Sequence, residues 1–372
     1  MLISPQPWGV LHLSKHHYAI ELAKAGNTVY FVAPPDNGAK SFTLNRIEGY
    51  NGLFEVRHKL DFKSSLRFRF RWIYDLYMKR HVGRLINWLG FIPDVTWCFD
   101  PNTYSNLKWF RAPLKIYHPV DPIVRADQIK PAYSADIVFS VSQKILSAFK
   151  YVKVPQYFIN HGLSKPFEEQ ALKKLKNKNQ YIPGKPVKVG YVGNLLRDVI
   201  DRKIVIRIIE NNPQARFYFW GPFKAVQSNI DGTNDQDTTA FITMLHSLQN
   251  VVLYGPKSPE ELAIEIQDMD IFFFTYKLID GLSDRSNSHK ILEYLSTGKG
   301  VFSCNIESYK DLDLLHMTSE SADAQLPEKI GNGIEDLSVI NSPQRMKDRI
   351  EYALENTYCK QINRIQLHLN TK

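Results

Sequence analysis

Cysteine is scarce: Cys98, Cys304 and Cys359 are the only three in 372 residues. They stand far apart, and none has a second Cys or a His at metal-ligand spacing. A disulfide framework and a zinc module are therefore excluded, and a reducing compartment is the simplest setting. Long apolar runs are missing too, since no stretch approaches the ~18 residues that a membrane span needs. The start, Met1-Leu2-Ile3-Ser4-Pro5, has no basic region and too short an apolar run for a signal peptide, so a cytoplasmic location is expected. No repeat period, low-complexity tract or GxGxxG fingerprint occurs. Hydrophobic residues at 44% and charged residues at 23% describe an ordinary globular chain, long enough for two domains.

Charge is unevenly spread. Residues 1–165 carry 22 Lys+Arg against 11 Asp+Glu, and the remainder carries 25 against 27. A basic half joined to a nearly neutral half fits two domains with different partners, and the basic one attracts nucleic acid, anionic lipid or phosphorylated substrates.

The pattern along the chain is apolar strand, loop, helix, repeated. Strands are expected at 2–4, 28–32, 94–99, 115–118, 137–141 and 156–159, with helices at 14–25, capped by Ser14, and at 142–151. Residues 166–186 are polar and broken by Pro183, Gly184 and Pro186, as in a linker. The alternation then restarts, with strands at 187–192, 217–220, 251–254, 271–275 and 300–303 and helices at 201–211, 259–267 and 288–296. The expected class is α/β, as two tandem doubly wound domains. They span 1–165 and 187–342, with terminal helices over 343–372.

Open parallel sheets bind ligands beyond the carboxyl ends of their strands, which selects four loops. The first, after strand one, holds Trp8, Gly9 and His12, with Lys15, His16 and His17 just beyond, at a helix start suited to an anion. The second is Tyr117-His118-Pro119-Val120-Asp121. The third is Gly190–Asp198, where Gly193 admits close backbone approach, Asn194 follows, and Arg197 can meet a phosphate. The fourth runs from Asp284 to Phe302. There Ser286 or Ser288 caps a helix, while Lys290 and Glu293, three apart, share one face. A diphosphate fits that helix start and Lys290, with Glu293 accepting from ribose hydroxyls. Three D-x-D triplets, Asp235–Asp237, Asp268–Asp270 and Asp311–Asp313, read as chance, so no metal is expected.

At these residues the chain resembles a GT-B glycosyltransferase of the retaining type grouped in glycosyltransferase family four. Residues 286–299, Ser-Asn-Ser-His-Lys-Ile-Leu-Glu-Tyr-Leu-Ser-Thr-Gly-Lys, resemble that family's S-N-P-x-K-x-x-E-Y-x-A-x-G-K donor segment. Gly190–Leu195 is similar to its G-Y-V-G-N-L opening, Ala135–Ser142 to its A-D-x-V-x-x-x-S strand, and Asn160–Leu163 to its N-x-G turn. Trp8-Gly9 through Ala19 looks like the first loop of polysaccharide-pathway members. Where the family has a glutamate eight positions ahead of Glu293, this chain has Arg285. The resemblance implies two Rossmann-like domains facing a cleft. It further implies a nucleotide-diphospho-sugar donor, with a UDP-sugar favoured, on the second domain and a glycan or lipid-linked acceptor on the first. The expected transfer proceeds with retention and without cofactor or metal, in cell-surface polysaccharide biosynthesis. It places His118 near the donor sugar as a hydrogen-bonding group, with Asp121 as its rival.

Nine cations lie between Arg57 and Arg84, against Asp61 and Asp75, interleaved with Phe68, Phe70, Trp72, Ile73, Leu76 and Tyr77. Such a patch suits the inner, anionic face of a membrane. No nucleic-acid recognition motif is present. A sugar-nucleotide epimerase of the same architecture and a non-catalytic nucleotide-sugar binder, favoured by Arg285, are the alternatives.

Overall fold

The computed structural model describes residues 1–9, 11–39, 41–177, 181–224, 235–278, 285, 287–319 and 322–370. The chain packs as two units, Met1–Asn160 and His161–Lys372. The described residues of the first unit form strands β1 (Leu2–Ile3), β2 (Val29–Val32), β3 (Thr43–Arg46), β4 (Leu53–Arg57), β5 (Val95–Cys98), β6 (Leu114–Tyr117), β7 (Ile137–Ser140) and β8 (Gln156–Phe158). Its helices are α1 (Ser14–Lys24), α2 (Leu66–Arg69), α3 (Arg71–Leu89) and α4 (Gln143–Ser147). The strands make one sheet in the order β3-β4-β2-β1-β5-β6-β7-β8, parallel except for the β3–β4 pair.

β7 is buried at every position, as a parallel strand covered on both faces should be. β3 is exposed at every position, which leaves it a polar edge. α3 turns Tyr74, Met78, Val82, Leu85 and Ile86 toward a core that includes Ile3, Val32 and Val138. Those positions recur every three or four residues, the helical period. Ser14 does not cap α1. Leu13 holds that position, and its N–H donates to Nδ1 of His16 at 3.0 Å. An imidazole thus takes the place of the reaching side chain in a capping box.

The second unit runs α5 (Lys165–Lys176), β9 (Lys188–Val192), α6 (Arg202–Glu210), β10 (Arg216–Trp220), α7 (Gln236–Ser247), β11 (Val251–Gly255), α8 (Pro259–Glu265) and β12 (Ile271–Phe274). It continues with α9 (His289–Leu295), β13 (Gly300–Ser303), β14 (His316–Met317), α10 (Leu326–Glu335), α11 (Leu337–Ile340), α12 (Pro343–Glu355) and α13 (Tyr358–Asn370). Its sheet is wholly parallel, in the order β11-β10-β9-β12-β13-β14. Counted within the unit this is 3-2-1-4-5-6, the Rossmann order.

The stretch read as a linker, 166–186, is helical in its first half. α5 buries Phe167 and Ala171, four apart, and leaves its lysines outside. Two buried residues per face suffice, and the polar composition hid them. The second unit also takes in residues before α5: Leu163 donates its N–H to the Asn356 carbonyl at 2.6 Å and bridges to Thr357.

Each sheet reverses direction once. The reversal lies between β1 and β5 in the first and between β9 and β12 in the second. The loops leaving those strands are where an open α/β sheet holds its ligand.

A buried histidine pair gives the first unit a pH limit. His58 Nε2 donates to the Ala33 carbonyl at 3.0 Å, and His81 Nε2 donates to His58 Nδ1 at 2.9 Å. Burial pushes His58 down to about 3 and His81 down to about 4. Both rings are neutral in the fold but take protons in the unfolded chain below pH ~6.5, so the unfolded state binds more protons there. Stability should fall as pH drops from 6.5 toward 4, by about 1.4 kcal/mol per pH unit for each such ring. Urea unfolding at pH 7 and pH 5 measures this. The His81→Gln variant should show a shallower loss, and pH-independent stability in the wild type would contradict the assignment.

Candidate active site

The end of β9 is clamped by its neighbours. Gly193 donates its N–H to the Trp220 carbonyl at 2.8 Å, Gly221 donates to Gly255 at 2.8 Å, and Leu195 donates to Pro222 at 2.9 Å. Gly221 has φ +130°, and a Cβ there would stand 2.0 Å from the Gly193 carbonyl oxygen, so only glycine fits. Asn194 is buried and accepts the Leu196 N–H at 3.0 Å, which shapes the turn. The space left by the absent Cβ of Gly193 is taken by a cation: a Cβ would lie 2.7 Å from Lys290 Nζ.

Lys290 is the second residue of α9. Its Nζ donates to the Tyr276 hydroxyl at 3.1 Å, and the Arg197 guanidinium carbon lies 5.8 Å from the same ring. Tyr276 follows β12 and is tied down on both sides. It bridges to Ile200, Lys277 donates to the Val199 carbonyl at 2.8 Å, and Arg285 Nε donates to the Tyr276 carbonyl at 2.7 Å. α9 is fixed by Tyr294, whose hydroxyl accepts the Val192 N–H at 2.8 Å and donates to the Val192 carbonyl at 3.2 Å. An ammonium and a guanidinium thus share one tyrosine at the sheet's reversal, an arrangement that suits a phosphate.

Glu293 lies one turn further along. Among the described residues nothing hydrogen-bonds its carboxylate. Burial pushes its pKa up to about 7, against the opposing pull of Lys290. Lys290 and Glu293 form no ion pair among the described residues: the ammonium goes to Tyr276. Ser286 lies outside the described residues. Ser288 stands at the helix start, but its side chain makes no capping hydrogen bond. Arg285, in place of a glutamate, is 3% exposed and pairs with Asp323.

In the first unit His118 follows β6 and is fully enclosed, at 0% exposure. Trp97 Nε1 donates to its Nδ1 at 3.3 Å, and the Phe99 ring centroid lies 4.8 Å away. In the neutral ring this leaves the hydrogen on Nε2. Asp121 is exposed. Its charge and that of Asp100 act on Lys15, which is 2% exposed and pushed down to about 8 by burial, with both carboxylates opposing. Sequence reasoning missed Asp100. It lies buried after β5 and accepts the Asn102 N–H at 2.7 Å; only its place at a strand end signalled it.

The Trp8 loop is built on a second missed residue, Glu55. Its Oε1 accepts the Trp8 N–H at 3.2 Å, and its Oε2 accepts Arg57 Nε at 2.9 Å. His16 does not face a ligand. It is buried, donates Nε2–H to the Pro7 carbonyl at 3.1 Å and is pushed down to about 3 by burial. It acts as a strut under the loop, with His12 stacked on it at 5.6 Å and Trp8 against its edge at 5.2 Å. Gly9 follows Trp8 in the same loop. A pocket of about 520 Å³ opens beside it, lined by Pro7, Trp8, Pro35, Asp36, Asn37 and Arg57.

Among the described residues no three His, Cys, Asp or Glu side chains converge on a possible metal position. Two triplets serve the fold: Asp235 caps α7 by accepting the Thr238 N–H at 2.7 Å, and Asp270 accepts the Tyr181 hydroxyl at 2.6 Å.

Two outcomes test this geometry. Gly221→Ala should cost about 3 kcal/mol in urea unfolding, because backbone must move. Gly193→Ala meets mainly the end of a flexible lysine and should cost far less; equal losses would refute the distinction. Because Glu293 has a pKa of about 7 in the fold against an ordinary 4.5, ionising it opposes folding as pH rises through that range. Glu293→Gln should therefore melt higher than wild type at pH 8, and the two should converge only as pH falls below 4.5.

No protein-family model matches the chain, and no curated protein does. Solved structures match it over its whole length. Sucrose-phosphate synthase from Thermosynechococcus elongatus is 12% identical, with a TM-score of 0.70 over 100% of this chain and 98% of that one. The α,α-trehalose 6-phosphate synthase of Burkholderia multivorans is 11% identical, with a TM-score of 0.67 over 100% and 96%. Anabaena HepE, solved with UDP and glucose, is 14% identical, with a TM-score of 0.65 over 100% and 99%. Set beside the strand orders of the two sheets, these likenesses establish that the chain has the GT-B fold of two Rossmann-like α/β domains.

Proposed function

We propose that the protein is a glycosyltransferase that moves a sugar from a nucleotide-diphospho-sugar to a glycan or lipid-linked acceptor, with retention, in polysaccharide biosynthesis. One observation carries this reading: Lys290 and Arg197 converge on Tyr276 at the reversal of the second sheet, with Gly193 leaving room and Glu293, one turn away, making no hydrogen bond among the described residues. The leaving group of such a transfer is a nucleoside diphosphate, whose growing negative charge needs fixed cations. Lys290 and Arg197 supply them without a metal, and Glu293 accepts from ribose hydroxyls. A UDP-sugar is favoured, because similar folds include a UDP-forming trehalose-phosphate synthase and HepE with UDP and glucose. Retention is favoured by the retaining glycosyltransfer described for a trehalose-6-phosphate synthase of this fold.

The acceptor belongs to the first unit. The Trp8 pocket offers an indole beside Asp36, Asn37 and Arg57, a set that can stack on a sugar and hydrogen-bond its hydroxyls. Asp121, with Lys15 beside it, is the exposed carboxylate at the end of β6. His118 supports that loop from within the aromatic layer.

Thermal unfolding with UDP, GDP, dTDP and CMP tests the donor site. One diphosphate should raise the midpoint of the wild type, by about 2.7 kcal/mol of stability at a hundred times its Kd. It should leave Lys290→Ala unmoved, and equal shifts in both proteins would sink the proposal. Binding without release of nucleoside diphosphate from any nucleotide-sugar would favour the non-catalytic alternative suggested by Arg285.

A further inference from the structure

Eight of the nine cations between Arg57 and Arg84, all but the exposed Lys59, separate by what they touch. Arg57 pairs with Glu55 at 2.9 Å, Arg71 pairs with Asp75 at 2.9 Å and Asp127 at 2.8 Å, and Arg84 pairs with Asp61. The Arg67 guanidinium lies 4.6 Å from the Phe68 ring. Lys63, Arg69, Lys79 and Arg80 are exposed and make no ion pair among the described residues. Standing among them are Phe68 at 62% exposure, Phe70 at 52%, Trp72 at 72% and Leu76 at 49%.

Four large apolar side chains exposed within nine residues are unlike the single surface hydrophobics of an ordinary domain. They are not a core face that failed to pack. The core face of α3 is Tyr74, Met78, Val82, Leu85 and Ile86, and it is fully used. Trp72, Leu76, Lys79 and Arg80 instead fall within about 100° of one another around the helix, on its outer side.

We infer that this face, from Lys63 to Arg80, docks on the surface of an anionic phospholipid bilayer. Charge complementarity selects the occupant. Four cations without an ion pair among the described residues interleave along the chain with the apolar side chains, so an anionic surface gains ion contacts while Trp72, Phe68, Phe70 and Leu76 enter the headgroup and acyl boundary. A second copy related by a twofold axis would set these cations against themselves. No helix among the described residues is long and apolar enough to cross a membrane, so the chain would lie on the bilayer through this face. The face docks in this way whatever reaction the second unit supports.

Co-sedimentation with phosphatidylcholine vesicles, and with vesicles of phosphatidylcholine and phosphatidylglycerol in equal parts, tests it at two salt concentrations. The wild type should bind the anionic vesicles, release in high salt and ignore the neutral ones. Lys79→Gln with Arg80→Gln should weaken binding about 30-fold. Phe68→Ser with Trp72→Ser leaves every cation in place and should also weaken it at least tenfold. All four positions are exposed, so both variants should melt like the wild type. Three results would overturn the inference: equal binding to both vesicle types, undiminished binding by the aromatic variant, or self-association in sedimentation velocity without vesicle binding.

Discussion

The geometry at the end of β9 depends on one hydroxyl. Tyr294 takes both main-chain hydrogen-bonding groups of Val192, the last residue of β9, while its ring stacks on Phe272 of β12 at 4.5 Å. α9 has only seven residues, too few to be stable by itself. Its position is therefore set by what Tyr294 holds. Lys290 and Glu293, four and one positions before that tyrosine, are carried with the helix, and the Lys290 ammonium reaches the gap at Gly193. The site is built by anchoring a short helix to two central strands across the sheet's reversal, and its charged groups are passengers on that anchor.

A second anchor works from the opposite side. Arg285 is buried, and a buried guanidinium needs partners to offset the loss of water. It finds them in the Tyr276 carbonyl and in Asp323, which itself accepts the Thr318 hydroxyl at 3.1 Å. Tyr276 then presents its hydroxyl to Lys290. The departure from the family pattern at this position thus has a structural content: the residue acts through Tyr276 on the cation rather than on a ligand directly.

Much of the fold could be read from the chain because parallel strands bury both faces and so appear as short apolar runs. β7, Ile137–Ser140, and β12, Ile271–Phe274, are buried at every position and stood out for that reason. β3 is exposed throughout and has no such run, so the β3–β4 pair was invisible. α5 was hidden by lysines around a two-residue apolar face. In the site, Gly193, Lys290 and Glu293 were legible because local pattern places them at strand and helix ends. Tyr276, Glu55 and Asp100 were not, because their importance comes from partners 14, 47 and 85 positions away, Lys290, Trp8 and Lys15 respectively. His16 misled for the converse reason: a histidine in a ligand loop reads as a ligand group until its two nitrogens are found bonded to Leu13 and Pro7.

The two sheets share a topology at their reversals but hold opposite chemistry there. The second brings an ammonium and a guanidinium together, and one turn along α9 burial raises the Glu293 carboxyl to about 7. The first places Asp36, Asp100 and Asp121 in the loops after β2, β5 and β6, with Lys15 enclosed between the fields of the last two. Yet the first unit holds the chain's excess of positive charge. Six of its cations, Arg67, Arg69, Arg71, Lys79, Arg80 and Arg84, sit on α2 and α3 against one carboxylate, Asp75, away from the strand-end loops. A charge stored apart from the strand-end loops, on a helix whose inner face is already committed to the core, is what the proposed docking face needs and what the proposed substrate pocket does not.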